Sequence, residues 1–212
     1  MSSPKSLTAN ATLMVFGAGG HGRVVADAAL FASRWLRVIA SDRNPDACHG
    51  ELLPGVPLLD VASAKPLSPL LHIAIGNNQL RERESDLWGH DCLVCVIHPA
   101  ALISPFSDIA DGSFIAAAAV VGPNARIGMG VIVNHGAVID HDVTVGAFSH
   151  IAPNATLGGG VKVGQRVLIG SGAVVLPSVV IADDVVVGAG AVVHGNLLQS
   201  GTYAGVPARR IH

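Results

Sequence analysis

Charge is scarce in this chain. Asp, Glu, Lys and Arg make up 13% of its 212 residues and leave a net charge of -2, so no basic stripe exists to meet a phosphate backbone, and nucleic acid is excluded as a partner. Long apolar runs are missing as well. Hydrophobic residues reach 50% and the mean hydropathy is +0.52, yet Gly, Pro or polar residues interrupt every stretch before the ~18 residues a membrane span requires. The hydrophobicity therefore belongs to a distributed core and to a subunit interface. Cysteine is limited to Cys48, Cys92 and Cys95, too few for a disulfide framework and suited to a reducing compartment. The opening MSSPKSLTAN is polar and lacks the apolar stretch of a signal peptide, which predicts a cytoplasmic protein.

What the chain has instead is a period of six. Seventeen consecutive positions at that spacing are Ile, Leu or Val, from Ile97 and Ile103 through Val145 and Ile151 to Val193. Four positions further along each repeat the residue is small or β-branched, as in Ala119, Ala125, Val131, Ala137 and Ser149. This is the mark of a hexapeptide parallel β-helix, whose repeats cannot bury their apolar residues alone and must stack. Three repeats make one triangular coil, so residues eighteen apart lie on neighbouring coils about 4.8 Å apart. His141 then stacks beneath Gly159 and Asn134 beneath Ala152. The residue after each aliphatic position is often Gly, as in Gly122, Gly128, Gly146 and Gly164, read as the demand of a tight turn. No long loop interrupts the array.

Before the array the pattern changes. Thr12 to Phe16 reads as a buried strand, GAGGHGRVVADAALFA as a Gly-rich turn opening a helix, and Leu36 to Ala40 as a second strand ending near Asp42. Short strands near Val56 to Leu59 and Leu71 to Ile75, a helix from Asn78 to about Gly89 and a last strand from Cys92 to Ile97 complete a small α/β domain. The boundary falls where the period of six begins, giving residues 1–96 and 97–212.

Several motifs carry chemistry. Gly17, Gly19 and Gly22 form G-x-G-x-x-G between strand and helix, with Asp42 twenty residues beyond, the arrangement that holds a nucleotide phosphate on amides at a helix N-terminus. Fewer than a hundred residues precede the array, so a half-site for one nucleotide fits better than a dinucleotide site; a Gly turn needed only for packing is the plain alternative. The segment NHGAVIDHDVTVGAFSH brings His135, His141 and His150 near Asn134, Asp140 and Asp142. A neutral imidazole flanked by carboxylates, as at His141, can accept a proton from an amine or hydroxyl nucleophile. The three histidines also admit a zinc reading, and no metal is the preferred one. Cys92 and Cys95 read as a packed pair. Asn77 and Asn78 serve either as a helix cap or as ligand contacts at a strand's carboxyl end. Arg209 and Arg210 meet phosphates or only solvent.

Both halves resemble one family, the bacterial nucleotide-sugar acetyltransferases of the PglD, PerB and NeuD-like type. The resemblance rests on GAGGHGRVV (17–25), IAIGNN (73–78), IHPAALISP (97–105), VIDHDVTVGAFSHIAPNATLGGGVKVG (138–164) and YAGVPARRI (203–211). It implies a Rossmann-like nucleotide-sugar-binding domain followed by a left-handed β-helix acetyltransferase domain, assembled as a homotrimer with active sites between subunits. It further implies acetyl-CoA as co-substrate, a nucleotide-linked amino sugar as acceptor, and His141 as the base oriented by Asp142. Asn134, His150, Gly159, Ser171, Gly188 and Ala189 match the acetyl-CoA contacts. Gly19, Gly20, His21, Gly22, Asp42, Gly76 and Asn77 match the nucleotide-sugar contacts. The implied activity is N-acetylation of a UDP-linked 4-amino-deoxysugar by direct transfer, in surface glycan or glycoprotein biosynthesis. O-acetylation of a sialic-acid-type sugar and a non-enzymatic trimeric scaffold are the alternatives.

Overall fold

The computed structural model describes residues 11–211; the polar opening decapeptide, read against a signal peptide, lies outside them. The first strand, β1 (Thr12–Phe16), is the centre of a three-stranded parallel sheet between β2 (Arg37–Ser41) and a strand at Leu70–Ile73. Helix α1 (Gly20–Ala32) links β1 to β2. A short hairpin follows, β3 (Glu51–Leu53) with β4 (Val56–Pro57), then α2 (Val61–Ala64), β5 (Leu70–Ile73) and α3 (Asn78–Trp88). Alternate residues of β1 serve two cores. Leu13 and Val15 pack with Val25, Ala26 and Ala29 of α1, whereas Met14 and Phe16 pack with Leu71, Ile73 and Trp88. A sheet covered on both faces explains why β1 reads as a continuous apolar run rather than an alternating one.

From Val96 the chain coils. Two-residue strands recur every six residues and pair in parallel at a register of eighteen, as in Val120 with Val138 and Val121 with Ile139. They form three flat faces. The first carries Val96–Ile97, Phe114–Ile115, Ile132–Val133 and His150–Ile151; the second carries Leu102–Ile103, Val120–Val121 and Val138–Ile139; the third carries Asp108–Ile109, Arg126–Ile127 and Thr144–Val145. The second residue of each strand points inward, and the file from Ile115 to Val193 is buried throughout. The small residues four positions on, such as Ala119, Ala125 and Val131, fill the corners of the same core. Burying each Val or Ile contributes about 1.5–3 kcal/mol, which offsets the entropy of ordering so many short strands.

The glycines after the aliphatic positions have a different cause from the one their spacing suggested. The left-handed residue of each corner lies two places later, at Asn124, Gly130, Gly136, Asp142, Phe148 and Asn154. Gly122, Gly128, Gly146 and Gly164 keep ordinary backbone angles, and a Cβ on them would meet the next coil, at 2.4 Å from Gly164 in the case of Gly146. Close stacking of coils, not turn geometry, requires them.

The outward residues distinguish the three faces. On the first, Val96, Phe114 and Ile132 are buried in one cluster with Val15, Val25 and Val38 of the α/β domain, so the domain sits on this face and shares its core. The second presents Leu102, Val120, Val138, Thr156, Val174 and Val192, with Leu102 and Val174 well exposed. The third presents Asp108, Arg126, Thr144 and Lys162. The segment Cys92 to Ile97 is not the single strand its residues suggested: Leu93 makes an isolated parallel bridge to Leu71, and Val96–Ile97 pairs with Phe114–Ile115 as the first rung of the coil.

Candidate active site

His141 occupies the corner between the second and third faces. Its Nδ1 lies 2.7 Å from Asp142 Oδ2, and its backbone N–H donates to Asp140 Oδ1 at 2.7 Å. An extended strand would point neighbouring side chains apart. Asp142, however, is the left-handed residue of its corner, with φ of 59°, and that turn brings its carboxylate back to the imidazole. The hydrogen bond to Asp142, reinforced by the charge of Asp140, raises the histidine pKa above its ordinary value. The same bond, together with one from Asn124, holds the Asp142 pKa down. With Nδ1–H given to Asp142, Nε2 is left free to accept a proton. That nitrogen lies against Gly159 of the next coil, where a Cβ would be only 2.5 Å from it. The Gly159 amide donates no hydrogen bond among the described residues.

A second group lies at the corner between the first and second faces, across the Val138–Ile139 strand from His141. Asn134 Nδ2 is 3.1 Å from His150 Nε2, and the His150 ring also meets the Gly76 backbone at the end of β5. Above Asn134 along this corner stand Ser171 and then Gly188 and Ala189, with the Ser171 carbonyl accepting from the Gly190 amide at 2.9 Å. The amides of Ser171 and Ala189 donate no hydrogen bond among the described residues. Outward donors along one edge suit the carbonyls of an extended amide-bearing ligand.

The α/β domain closes over this second group. His21, in the first turn of α1, stacks edge-on against Phe114 at 5.4 Å and lies 6.4 Å from the His150 ring. Burial, aided by the neighbouring cations and imidazoles, lowers the pKa of His21 to about 3 and that of His150 to about 4. His72 behind them falls to about 4 by burial, and its Nδ1–H donates to the Val94 carbonyl at 3.0 Å. These three imidazoles are neutral at physiological pH. Gly19, Gly20 and Gly76 border open space, where a Cβ would meet nothing within 4 Å. They leave a route for a ligand to approach the backbone amides at the start of α1.

Other positions singled out from the sequence have structural work. Gly17 has φ of 120°, and a Cβ on Gly22 would lie 1.9 Å from the Gly17 carbonyl oxygen, so both are needed for strand and helix to meet. Asp42 accepts from the Ala18 amide at 2.7 Å through one oxygen and from the Asn44 amide at 2.9 Å through the other, fixing the Gly-rich turn from outside. Asn77 caps α3, accepting from the Leu80 amide at 2.9 Å. The Cys95 thiol, pushed up to about 11 by burial, donates to the Ala110 carbonyl; it is inert, as packed thiols are. Arg209 meets His194, and Arg210 meets Gln199 and the Ser200 carbonyl. Among the described residues no group of three His, Cys, Asp or Glu could hold a metal ion, and His135, exposed on its corner, lies apart from His141.

One residue escaped the sequence reading. Arg81 is among the charged residues of RERESD in α3, which look like a solvated helix face, yet it is 1% exposed. Its guanidinium donates to the carbonyls of Gly130 and Phe148 on the coil and of Ile75 and Gly76 in the α/β domain, at 2.6–3.2 Å. Asn78 adds bonds to the Arg166 and Val167 carbonyls, and Glu82 pairs with Arg166. This helix therefore fixes the Gly76 turn against the coil. Only the scarcity of apolar residues on the inner face of α3, where Arg81 and Ser85 precede Trp88, could have hinted at a polar clasp.

Residues 12–86 match the family described as the PglD N-terminal domain, and residues 160–195 match the bacterial transferase hexapeptide repeat. The chain is similar to the acetyltransferase domain of PglB from Neisseria gonorrhoeae, solved alone and with acetyl coenzyme A, at 34% identity over 95% of this chain and 100% of that one, with a TM-score of 0.87. It is similar to GDP-perosamine N-acetyltransferase from Caulobacter crescentus, solved as a histidine-to-alanine variant with CoA and GDP-perosamine, at 33% identity over 95% and 97% of the two chains, with a TM-score of 0.87. WeeI from Acinetobacter baumannii shares the fold at 24% identity and a TM-score of 0.69, over 94% of this chain and 99% of that one. No curated protein sequence matches the chain. No helix among the described residues is long and apolar enough to cross a membrane.

Proposed function

The chain belongs to the family of bacterial hexapeptide-repeat nucleotide-sugar acetyltransferases, and from that footing we propose that it transfers the acetyl group of acetyl-CoA to the amine of a nucleotide-linked amino sugar. The carrying observation is the pairing of His141 with Asp142 at 2.7 Å, its Nε2 left free beside the unpaired amide of Gly159. In this reading the sugar amine attacks the thioester carbon while Nε2 takes its proton, and Nδ1–H stays on Asp142 to stabilise the imidazolium. The Gly159 amide receives the negative charge that develops on the carbonyl oxygen. The tetrahedral intermediate then collapses, breaking the carbon–sulfur bond, and the coenzyme thiolate leaves. No acyl-enzyme is needed, and the pKa of the buried Cys95 thiol is raised, against a nucleophilic role.

The site is shared between subunits. His141 and Gly159 stand on one edge of the second face, while Asn134, His150, Ser171 and Ala189 stand on the other, with Val138–Ile139 between them. The face between carries an apolar ladder of Leu102, Val138 and Val174, half-buried at Val138 and exposed at Leu102 and Val174. Packing that ladder against a second copy, in a closed trimer, lets the base of one subunit face the coenzyme edge of the next. The nucleotide rests on the Gly19–Gly20 turn and the Gly76 end of β5, with UDP as the preferred nucleotide and a 4-amino-deoxysugar as the acceptor. The three cysteines suit a reducing compartment, which supports a cytoplasmic setting for the reaction.

The test is a thiol-release assay with acetyl-CoA against UDP-, GDP- and dTDP-linked amino sugars, run on the wild type and on His141→Asn. Transfer to an amine, lost by about 100-fold or more in the variant, supports the proposal. Acceptance of hydroxyl sugars alone would replace it with O-acetylation, and full activity in the variant would remove His141 as the base.

A further inference from the structure

The carboxylate that meets His141 is itself held from the coil beneath. Asn124 lies eighteen residues before Asp142, at the same left-handed position of its corner, with φ of 59° at both. Its Nδ2 donates to Asp142 Oδ1 at 3.1 Å, while Asp142 Oδ2 faces His141 Nδ1 at 2.7 Å. The two carboxylate oxygens are thus divided between two partners, and the three side chains form a line that climbs from one coil to the next. Asp142 needs such a holder. Its side chain is 56% exposed, and it borders an open groove of about 430 Å³ lined also by Phe106, Asp108, Arg126 and Thr144, so water competes with the imidazole for it. A carboxylate anchored at one end has lost the rotamers in which it would turn to that water.

We infer that Asn124 is a positioning residue for the transfer reaction, holding Asp142 in the rotamer that orients His141. This rests on the proposal that His141 is the base. A plainer role is available: Asn tolerates left-handed backbone better than most residues, and a pair of the same spacing, Arg166 with Asp184, recurs at another corner. The two roles separate in their consequences. The groups facing His141 are Asp140 and Asp142 on its own corner and Gly159 above it, while Asp108 and Arg126 stand further along the groove.

The deciding substitution is Asn124→Gly, which keeps the left-handed backbone at no steric cost and removes only the amide. Two readouts are taken on the full-length protein. The first is kcat and KM for acetyl transfer; the second is the titration of the His141 ring followed by NMR with labelled histidine, which needs no substrate. Positioning predicts kcat lower by about fivefold, the worth of one net hydrogen bond, with KM for acetyl-CoA unchanged. It also predicts a His141 pKa shifted down toward the ordinary histidine value, in the same direction as Asp142→Asn. Asn124→Asp should shift it up, since a second carboxylate favours the imidazolium. An Asn124→Gly protein whose His141 titration and kcat match the wild type would overturn the inference, whatever its melting temperature. Were the wild type to acetylate no amino sugar, the NMR titration alone would still decide whether Asn124 governs His141.

Discussion

Replacing Arg81 by Met should loosen the α/β domain from the coil while leaving both apolar cores intact. Two effects oppose one another. Burial draws the guanidinium pKa down to about 9, a sign that holding the cation out of water is costly, and Met would relieve that cost. Against this, the Gly130 and Phe148 carbonyls on the coil and the Ile75 carbonyl in the α/β domain accept from Arg81 at 2.7, 2.6 and 2.8 Å. They belong to the backbone, so no substitution removes them, and each buried acceptor left without a donor costs about 1–3 kcal/mol. The second effect wins, by about 2–4 kcal/mol, because removing one side of a buried polar contact is worse than never having built it. Both tryptophans, Trp35 and Trp88, lie in the α/β domain, so urea unfolding followed by their fluorescence reports that domain. At an m-value of ~2 kcal/mol per molar the fluorescence midpoint should fall by about 1–2 M, ahead of the far-ultraviolet dichroism of the coil. Arg81→Lys, which keeps the charge but not the planar fork, should fall between. A fluorescence midpoint unmoved in Arg81→Met would refute the clasp.

Two further outcomes follow from the same geometry. Gly159→Ala places a methyl where it would lie 2.5 Å from His141 Nε2; it should reduce kcat about 100-fold with little change in melting temperature, and an active variant would mean that the imidazole works from another position. His21, His72 and His150, held at about 3, 4 and 4, have folded pKa values below that of the unfolded chain. Stability is therefore intact above about pH 6.5 and is lost as pH falls toward 4, by about 1.4 kcal/mol per pH unit for each histidine that must stay neutral. Thermal unfolding at pH 7, 6 and 5 checks this, and a flat profile would contradict it.

The coil was legible because its period is enforced at every repeat: an inward Ile, Leu or Val on each short strand and a small residue at each corner leave no other way to bury them. The stacking of His141 on Gly159 followed from counting by eighteen. The part that did not follow is the part where the two domains meet. Nothing local marks Arg81 as buried, since its acceptors on the coil, the Gly130 and Phe148 carbonyls, are backbone and lie 49 and 67 residues away. His150 is covered only because the α/β domain packs on the first face, which no local pattern shows. Asp142 escaped a rule drawn from strands, since a left-handed corner reverses the direction of its side chain. Gly22, Asp42 and Asn77 show the converse, residues in a recognisable motif whose contacts are internal to the fold.

The central claim is that His141 of one subunit works with Asn134 and His150 of another, and mixing tests it directly. His141→Ala and His150→Ala proteins, each inactive alone, are unfolded together in equal amounts and refolded, and acetyl transfer is measured. If sites form between subunits, random assembly pairs an intact His141 edge with an intact His150 edge at about a quarter of the interfaces, and about a quarter of wild-type activity returns. If each chain builds its own site, the mixture stays as inactive as its parts.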